Sequence, residues 1–196
     1  MLSVLVAFES SGRIRQAFRA RGHDAWSCDL LPADDGSPHH IRGDALATIN
    51  SRRWDLIIMH PPCTALSVSG NAHYGKGKPQ HAERLQAIEW TMEIWELAQQ
   101  NSPMVCMENP VGTLPEKPSQ YVQPYQFGHN ESKNTGLWLH GVPKLQPTKF
   151  VPMPRCGYRE NQTPSGQNKL GPSPDRWKRR SKTYQGIADA MAEQWG

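Results

Sequence analysis

The sequence predicts an α/β protein built on a mainly parallel, doubly wound sheet. Three observations carry that prediction. Short apolar runs without helical spacing recur at Ser3 to Phe8, Ala25 to Leu30, Trp54 to Met59 and Met104 to Met107. Between them lie stretches with apolar residues at helical spacing, and glycine, proline or acidic residues close the runs. In such sheets ligands bind beyond the carboxyl ends of the strands, so the closing residues are where chemistry is to be sought.

Taken in order, Ser3 to Phe8 is a buried strand, followed by a turn at Gly12 and a helix carrying Ile14, Ala17 and Phe18. Gly22 falls where a helix C-cap wants a residue that tolerates a left-handed backbone. The second run ends in Cys28-Asp29 and completes a βαβ unit. Trp54 to Met59 stops at Pro61-Pro62, because proline cannot donate to a sheet ladder. From Gln80 to Gln100 the period becomes helical. Leu85, Ile88, Met92 and Trp95 form one stripe, widened by Trp90, Ile94 and Leu97, and this face is expected to be core. Met104 to Met107 is a strand ending at Glu108-Asn109-Pro110. Beyond Gly112 the chain is rich in proline until a short strand at Thr135 to Leu139. Residues 150–180 look irregular, with Pro152, Pro154, Gly157, Pro164, Gly166, Gly171, Pro172 and Pro174. Ile187 to Trp195 is a final helix. No internal repeat is seen, so residues 1–196 are expected to be a single domain, with 140–182 a basic loop or small subdomain inside it.

No apolar run is long enough to span a bilayer, and the N-terminus lacks the pattern of a signal peptide, which points to a cytoplasmic protein. Cys28, Cys63, Cys106 and Cys156 contain no C-x-x-C pair, so core or reactive thiols are expected rather than disulfides or a zinc ribbon. His39, His40, His129, His140 and Cys156 lack metal-ligand spacing, so no metal site is predicted. The net charge of +4 is uneven. Residues 1–130 hold 11 Lys/Arg against 13 Asp/Glu, whereas residues 131–182 hold 11 against 3. That surplus suits a polyanion such as nucleic acid, or else a solvated tail.

Four strand ends thus supply a glycine turn, an acidic residue, a Pro-Pro-Cys and a Glu-Asn. A cysteine in that setting could be a buried small residue or a nucleophile, and their order is what gives the set meaning. The arrangement, FESSGRIRQAF, Asp29, HPPCTALSVSG and MENP, resembles the DNA cytosine-5 methyltransferase family over most of the chain, especially its short, phage-type members. The resemblance implies a Rossmann-like S-adenosylmethionine-dependent methyltransferase fold. It implies that Phe8, Glu9, Ser10 and Gly12, with Pro61, line the site of S-adenosylmethionine, that Asp29 holds the cofactor's ribose hydroxyls, and that Asp44 accepts from the adenine amino group. Cys63 would be the nucleophile, and Glu108, with Asn109, would grip the target base. The terminal SKTYQGIADAMAEQWG is similar to the motif that folds back to complete the cofactor pocket.

Elementary chemistry agrees with that assignment. Thiolate addition at cytosine carbon 6 makes carbon 5 nucleophilic toward a methyl donor. The thiolate needs support, with His60 and Lys133 as the candidates, and a Glu108 carboxyl raised by burial could act on ring nitrogen 3. The paired arginines that contact the base in the family are missing, and Lys133 lies where a substitute is expected. The interval from Leu139 to Ser181 is too short for a full target-recognition region, so specificity is expected to be short, relaxed or supplied by a partner. Arg176, Lys178, Arg179, Arg180 and Lys182, with Trp177 among them, are expected to contact the phosphates of DNA, duplex or single-stranded. Two other readings compete. HPPC could be a relative of the Asp-Pro-Pro-Tyr loop of amino-group methyltransferases, or the chain could be a non-catalytic nucleotide-binding module.

Overall fold

The computed structural model describes all residues, Met1 to Gly196. A seven-stranded mixed sheet forms the centre, with strand order β3-β2-β1-β4-β5-β7-β6. The strands are β1 (Ser3–Ala7), β2 (Asp24–Asp29), β3 (His40–Arg42), β4 (Leu56–Met59), β5 (Met104–Pro110), β6 (Gln120–Val122) and β7 (Thr135–His140). The first five pair in parallel. β7 enters antiparallel between β5 and β6, so the sheet is mainly parallel, as expected, and mixed at that edge. The order is Rossmann-like through β5, and the chain reverses direction across the sheet between β1 and β4, opening a crevice at their carboxyl ends.

Both faces of the sheet are covered. Val4, Val6, Leu56, Ile58 and Cys106 point to one side, where they pack on α1 (Arg13–Ala20) and α6 (Gln185–Trp195). The alternate residues Leu5, Ala7, Ile57, Met59, Val105 and Met107 point to the other, against α2 (Ala45–Asn50) and α4 (His81–Asn101). Residues two apart along a strand share a face, so continuous apolar runs are what a doubly covered sheet requires. Two four- and six-residue helices complete the set, α3 (Asn71–Tyr74) and α5 (Arg176–Ser181). No helix is long and apolar enough to cross a membrane.

Several expectations change. β5 runs through Glu108 to Pro110, because pairing with β7 extends it: Glu108 lies opposite Leu137. On α4 the expected Ile94 and Trp95 are buried and Trp90, Met92 and Leu97 pack partly buried against the same core, joined by Arg84, Thr91 and Ala98, whereas Leu85 stands 55% exposed. Next to Leu85, the Arg84 guanidinium turns inward to bond a neighbouring loop. Residues 141–175 carry no helix or strand, only turns and isolated bridges, and α5 appears inside a stretch expected to be irregular. The SKTYQGIADAMAEQWG segment folds back onto α1, with Ile187, Ala190 and Met191 buried against Ile14, Ala17 and Phe18.

The contrast between Ile94 and Leu85 is testable. Ile94→Ala should lower the unfolding free energy by about 2–5 kcal/mol, whereas Leu85→Ala should change it by no more than about 0.5 kcal/mol. Urea denaturation followed by circular dichroism measures both.

Candidate active site

The crevice is built from the strand ends in turn. After β1 the chain turns sharply: Phe8 takes a left-handed φ of 61°, unusual for an aromatic residue. Glu9 is buried, and its Oε1 accepts from the Ser11 hydroxyl at 3.1 Å and the Ile14 N–H at 3.0 Å, holding a negative charge at the start of α1. Its Oε2 is buried without a partner. Gly12 has φ 70°, and a Cβ there would run into the Arg15 guanidinium, so this turn requires glycine. Arg15 is itself fully buried, bonding Asp35 at 2.5 Å and leaving Nε and Nη1 unpartnered.

At the end of β2, Asp29 uses one carboxylate oxygen to accept the Leu31 N–H at 2.9 Å and keeps the other free. Asp44, expected to meet an adenine amino group, is the N-cap of α2, accepting the Leu46 N–H at 3.0 Å. Helix capping is a sufficient structural reason for an aspartate there. Ser10 is half-buried, and its carbonyl accepts the Asp34 N–H at 2.9 Å, tying the turn after β1 to the loop after β2.

The loop after β4 carries Pro61 and Cys63. Asn109 is buried and donates from Nδ2 to the Pro61 carbonyl at 3.4 Å, linking this loop to β5. Farther along, the Val68 and Thr113 N–H groups bond the Val111 and Leu66 carbonyls, so the loops after β4 and β5 are zipped together. Arg84 of α4 clamps the same loop, donating to the Ala65 carbonyl and Asn71 Oδ1 at 2.7 Å each and to the Ser67 carbonyl at 3.2 Å.

Glu108 is the electrostatic centre. The His60 ring donates from Nδ1 to Oε2 at 3.0 Å, and Lys133 Nζ lies 3.9 Å from Oε1. Burial alone would raise the Glu108 carboxyl, but Lys133, the His60 bond and charge, and the Thr135 hydroxyl outweigh it and hold it at about 2. The expected burial-raised carboxyl is therefore corrected: the group is a carboxylate because cationic and donor groups converge on it. A shallow depression there is lined by Glu108, Lys133, Thr135, Leu137, Tyr184 and Met191 among others.

Cys63 is exposed as a residue, yet protein surrounds its sulfur on one side. That burial, with the charge of Glu108, pushes its thiol up, and Lys133 and Arg180 pull down without cancelling them. Of the two expected supports, Lys133 acts on Cys63, whereas His60 is engaged with Glu108. Arg180 was expected only at phosphates, and its effect on Cys63 depends on α5 folding against the rim. Arg84 was not expected at the site at all. Its only signal is a charge falling on the buried face of a helix.

The basic segment is divided. Lys178 and Lys182 each bond Asp34, Arg176 donates to the Leu170 carbonyl, and Arg179 and Arg180 are exposed. No three His, Cys, Asp or Glu side chains come together as metal ligands. No protein-family model matches the chain, and no curated protein matches it.

The opposed charges around Cys63 make a signed prediction. Lys133→Ala should slow its alkylation by iodoacetamide at pH 8, and Glu108→Gln should speed it, because only the thiolate reacts. Peptide mass spectrometry separates Cys63 from the other exposed thiol, Cys156.

Proposed function

We propose that the chain is an S-adenosylmethionine-dependent methyltransferase that modifies carbon 5 of cytosine in DNA through a covalent bond to Cys63. The observation that carries this reading is the meeting of Cys63, Glu108 and Lys133 beyond the carboxyl ends of adjacent strands, beside the turn from Glu9 to Gly12. The reading rests on that convergence and on the sequence resemblance together.

The turn after β1 fits the cofactor. Glu9 offers a buried carboxylate oxygen without a partner at the start of α1. Asp29, with one oxygen uncommitted, is suited to a pair of ribose hydroxyls. S-adenosylmethionine supplies the methyl group and its neutral leaving group.

The chain's own residues act on the base. The Cys63 thiol loses its proton and forms a bond to carbon 6, the electrons of the 5,6 double bond shift toward carbon 4, and those of the 4,3 bond take up at nitrogen 3 the proton that left Cys63, relayed through the Glu108 carboxylate. Carbon 5 is then the nucleophilic end of an enamine. Glu108 shares the proton at nitrogen 3 through one carboxylate oxygen while the His60 Nδ1–H holds the other. Ionisation of the thiol and protonation of nitrogen 3 are thus coupled through one carboxylate, whose charge bears on Cys63. Lys133, whose charge bears on both groups, stabilises the Cys63 thiolate and the Glu108 carboxylate. An enzyme acting on a base inside a duplex must extrude it, and the exposed Arg179 and Arg180 are placed to hold the backbone meanwhile.

Two experiments test the reading. Calorimetry should show stoichiometric binding of S-adenosylmethionine, weakened by about 1.5–3 kcal/mol in Asp29→Ala. No binding by the wild type would overturn it. DNA carrying 5-fluorocytosine should be trapped as a covalent adduct by the wild type and not by Cys63→Ser, because fluorine blocks the last proton abstraction. Methylation that persists in Cys63→Ser would instead point to an exocyclic amino group as the acceptor.

A further inference from the structure

We propose that Lys178 and Lys182 form a binding site for a phosphate of the nucleic-acid backbone, and that the Asp34 carboxylate occupies this site in the free protein. The inference rests on the DNA reading above and gives two of the basic residues a specific role. Asp34 Oδ1 lies 2.7 Å from Lys178 Nζ and Oδ2 lies 2.7 Å from Lys182 Nζ. One anion thus presents two oxygens to two ammonium groups, as the two non-bridging oxygens of a phosphodiester would. The same bonds hold Asp34 below the usual carboxylate range.

The location suits a ligand engaged at the catalytic rim. Asp34 belongs to the loop after β2 that is bonded to Ser10, at the edge of the crevice. Lys178 and Lys182 flank Arg180, whose charge reaches Cys63. A phosphate held by the two lysines would therefore lie along the rim on which the target base is handled, with Arg179 and Arg180 free for its neighbours in the strand.

Accessibility makes exchange feasible. The side chains of Lys178, Lys182 and Asp34 keep 39%, 34% and 20% of their exposure. Ion pairs in such positions are weak and are screened by salt, so a polyanion carrying many charges can displace a single carboxylate. Asp34 is then a competitor built into the chain. It holds α5 on the rim when no nucleic acid is bound and opposes the first phosphate to arrive.

The experiment measures binding alone, with a short fluorescent duplex and its single strand across a salt series. Asp34→Asn should bind about threefold to tenfold tighter at low salt, with the slope of log affinity against log salt unchanged. The Lys178→Ala/Lys182→Ala protein should lose roughly 0.9 from that slope on duplex, the share of one phosphate. In that background Asp34→Asn should have no effect. Melting curves check that each variant is folded, and because Asp34 is on a surface loop its replacement removes no core contact. If Asp34→Asn binds no tighter while the wild type binds well, the lysines only fasten the helix and the proposal fails alone. Loss of both lysines without a change in slope overturns it equally. If neither wild type nor Asp34→Asn binds duplex or single strand, the proposal and the DNA reading fall together.

Discussion

Ala7 pairs with Met59 in parallel register, and Met59 in turn with Met107, so the chain leaves β1, β4 and β5 at the same edge of the sheet. Everything at the candidate site depends on that alignment. It delivers the Glu9–Gly12 turn, the Pro61–Cys63 loop and Glu108 to one rim, although nearly a hundred residues of sequence separate the first from the last. The alignment is fixed because both faces of these strands are buried. A slip by one residue would exchange the sets that face α1 and α6 with those that face α2 and α4.

The antiparallel β7 adds what parallel strands alone could not. It runs back beside β5 and places Thr135 and Lys133 next to Glu108. A buried carboxylate with no partner would be strongly destabilising, and here His60 and Lys133 supply the compensation from two other parts of the chain. The same charge raises the neighbouring Cys63 thiol, so thiol and carboxylate cannot be considered separately. Arg84, fastening the loop that follows Cys63 to α4, and Asn109, bonding the Pro61 carbonyl, keep the two at a fixed spacing.

The C-terminal third shows how a charge surplus can mislead. The composition suits polyanion contact, yet Lys178 and Lys182 are paired within the chain, while Arg180 bears on Cys63. A run of basic residues records available charge and says nothing about which charges are already spoken for. That depends on Asp34, more than 140 residues earlier in the chain.

Local pattern was enough for the α/β class, for five of the strands, for the helices after β1 and β4 and at the C-terminus, and for the location of Cys63 and Glu108 at strand ends. These features follow from short-range rules: apolar runs, helical periodicity and proline or glycine punctuation. The short strands β3 and β6 and the helices α2, α3 and α5 left too little periodic signal to be found. The reversal of β7 and the inward turn of Arg84 escaped for another reason, since each is set by a neighbour distant in sequence. The ionisation of Glu108 escaped as well: burial and opposing charge act through space, and the cations that win come from positions 60 and 133. The sequence by itself determined which residue types stand at the strand ends; only the tertiary structure decided their charge states and their partners, because electrostatic energy depends on distance and surrounding medium, neither of which is written along the chain.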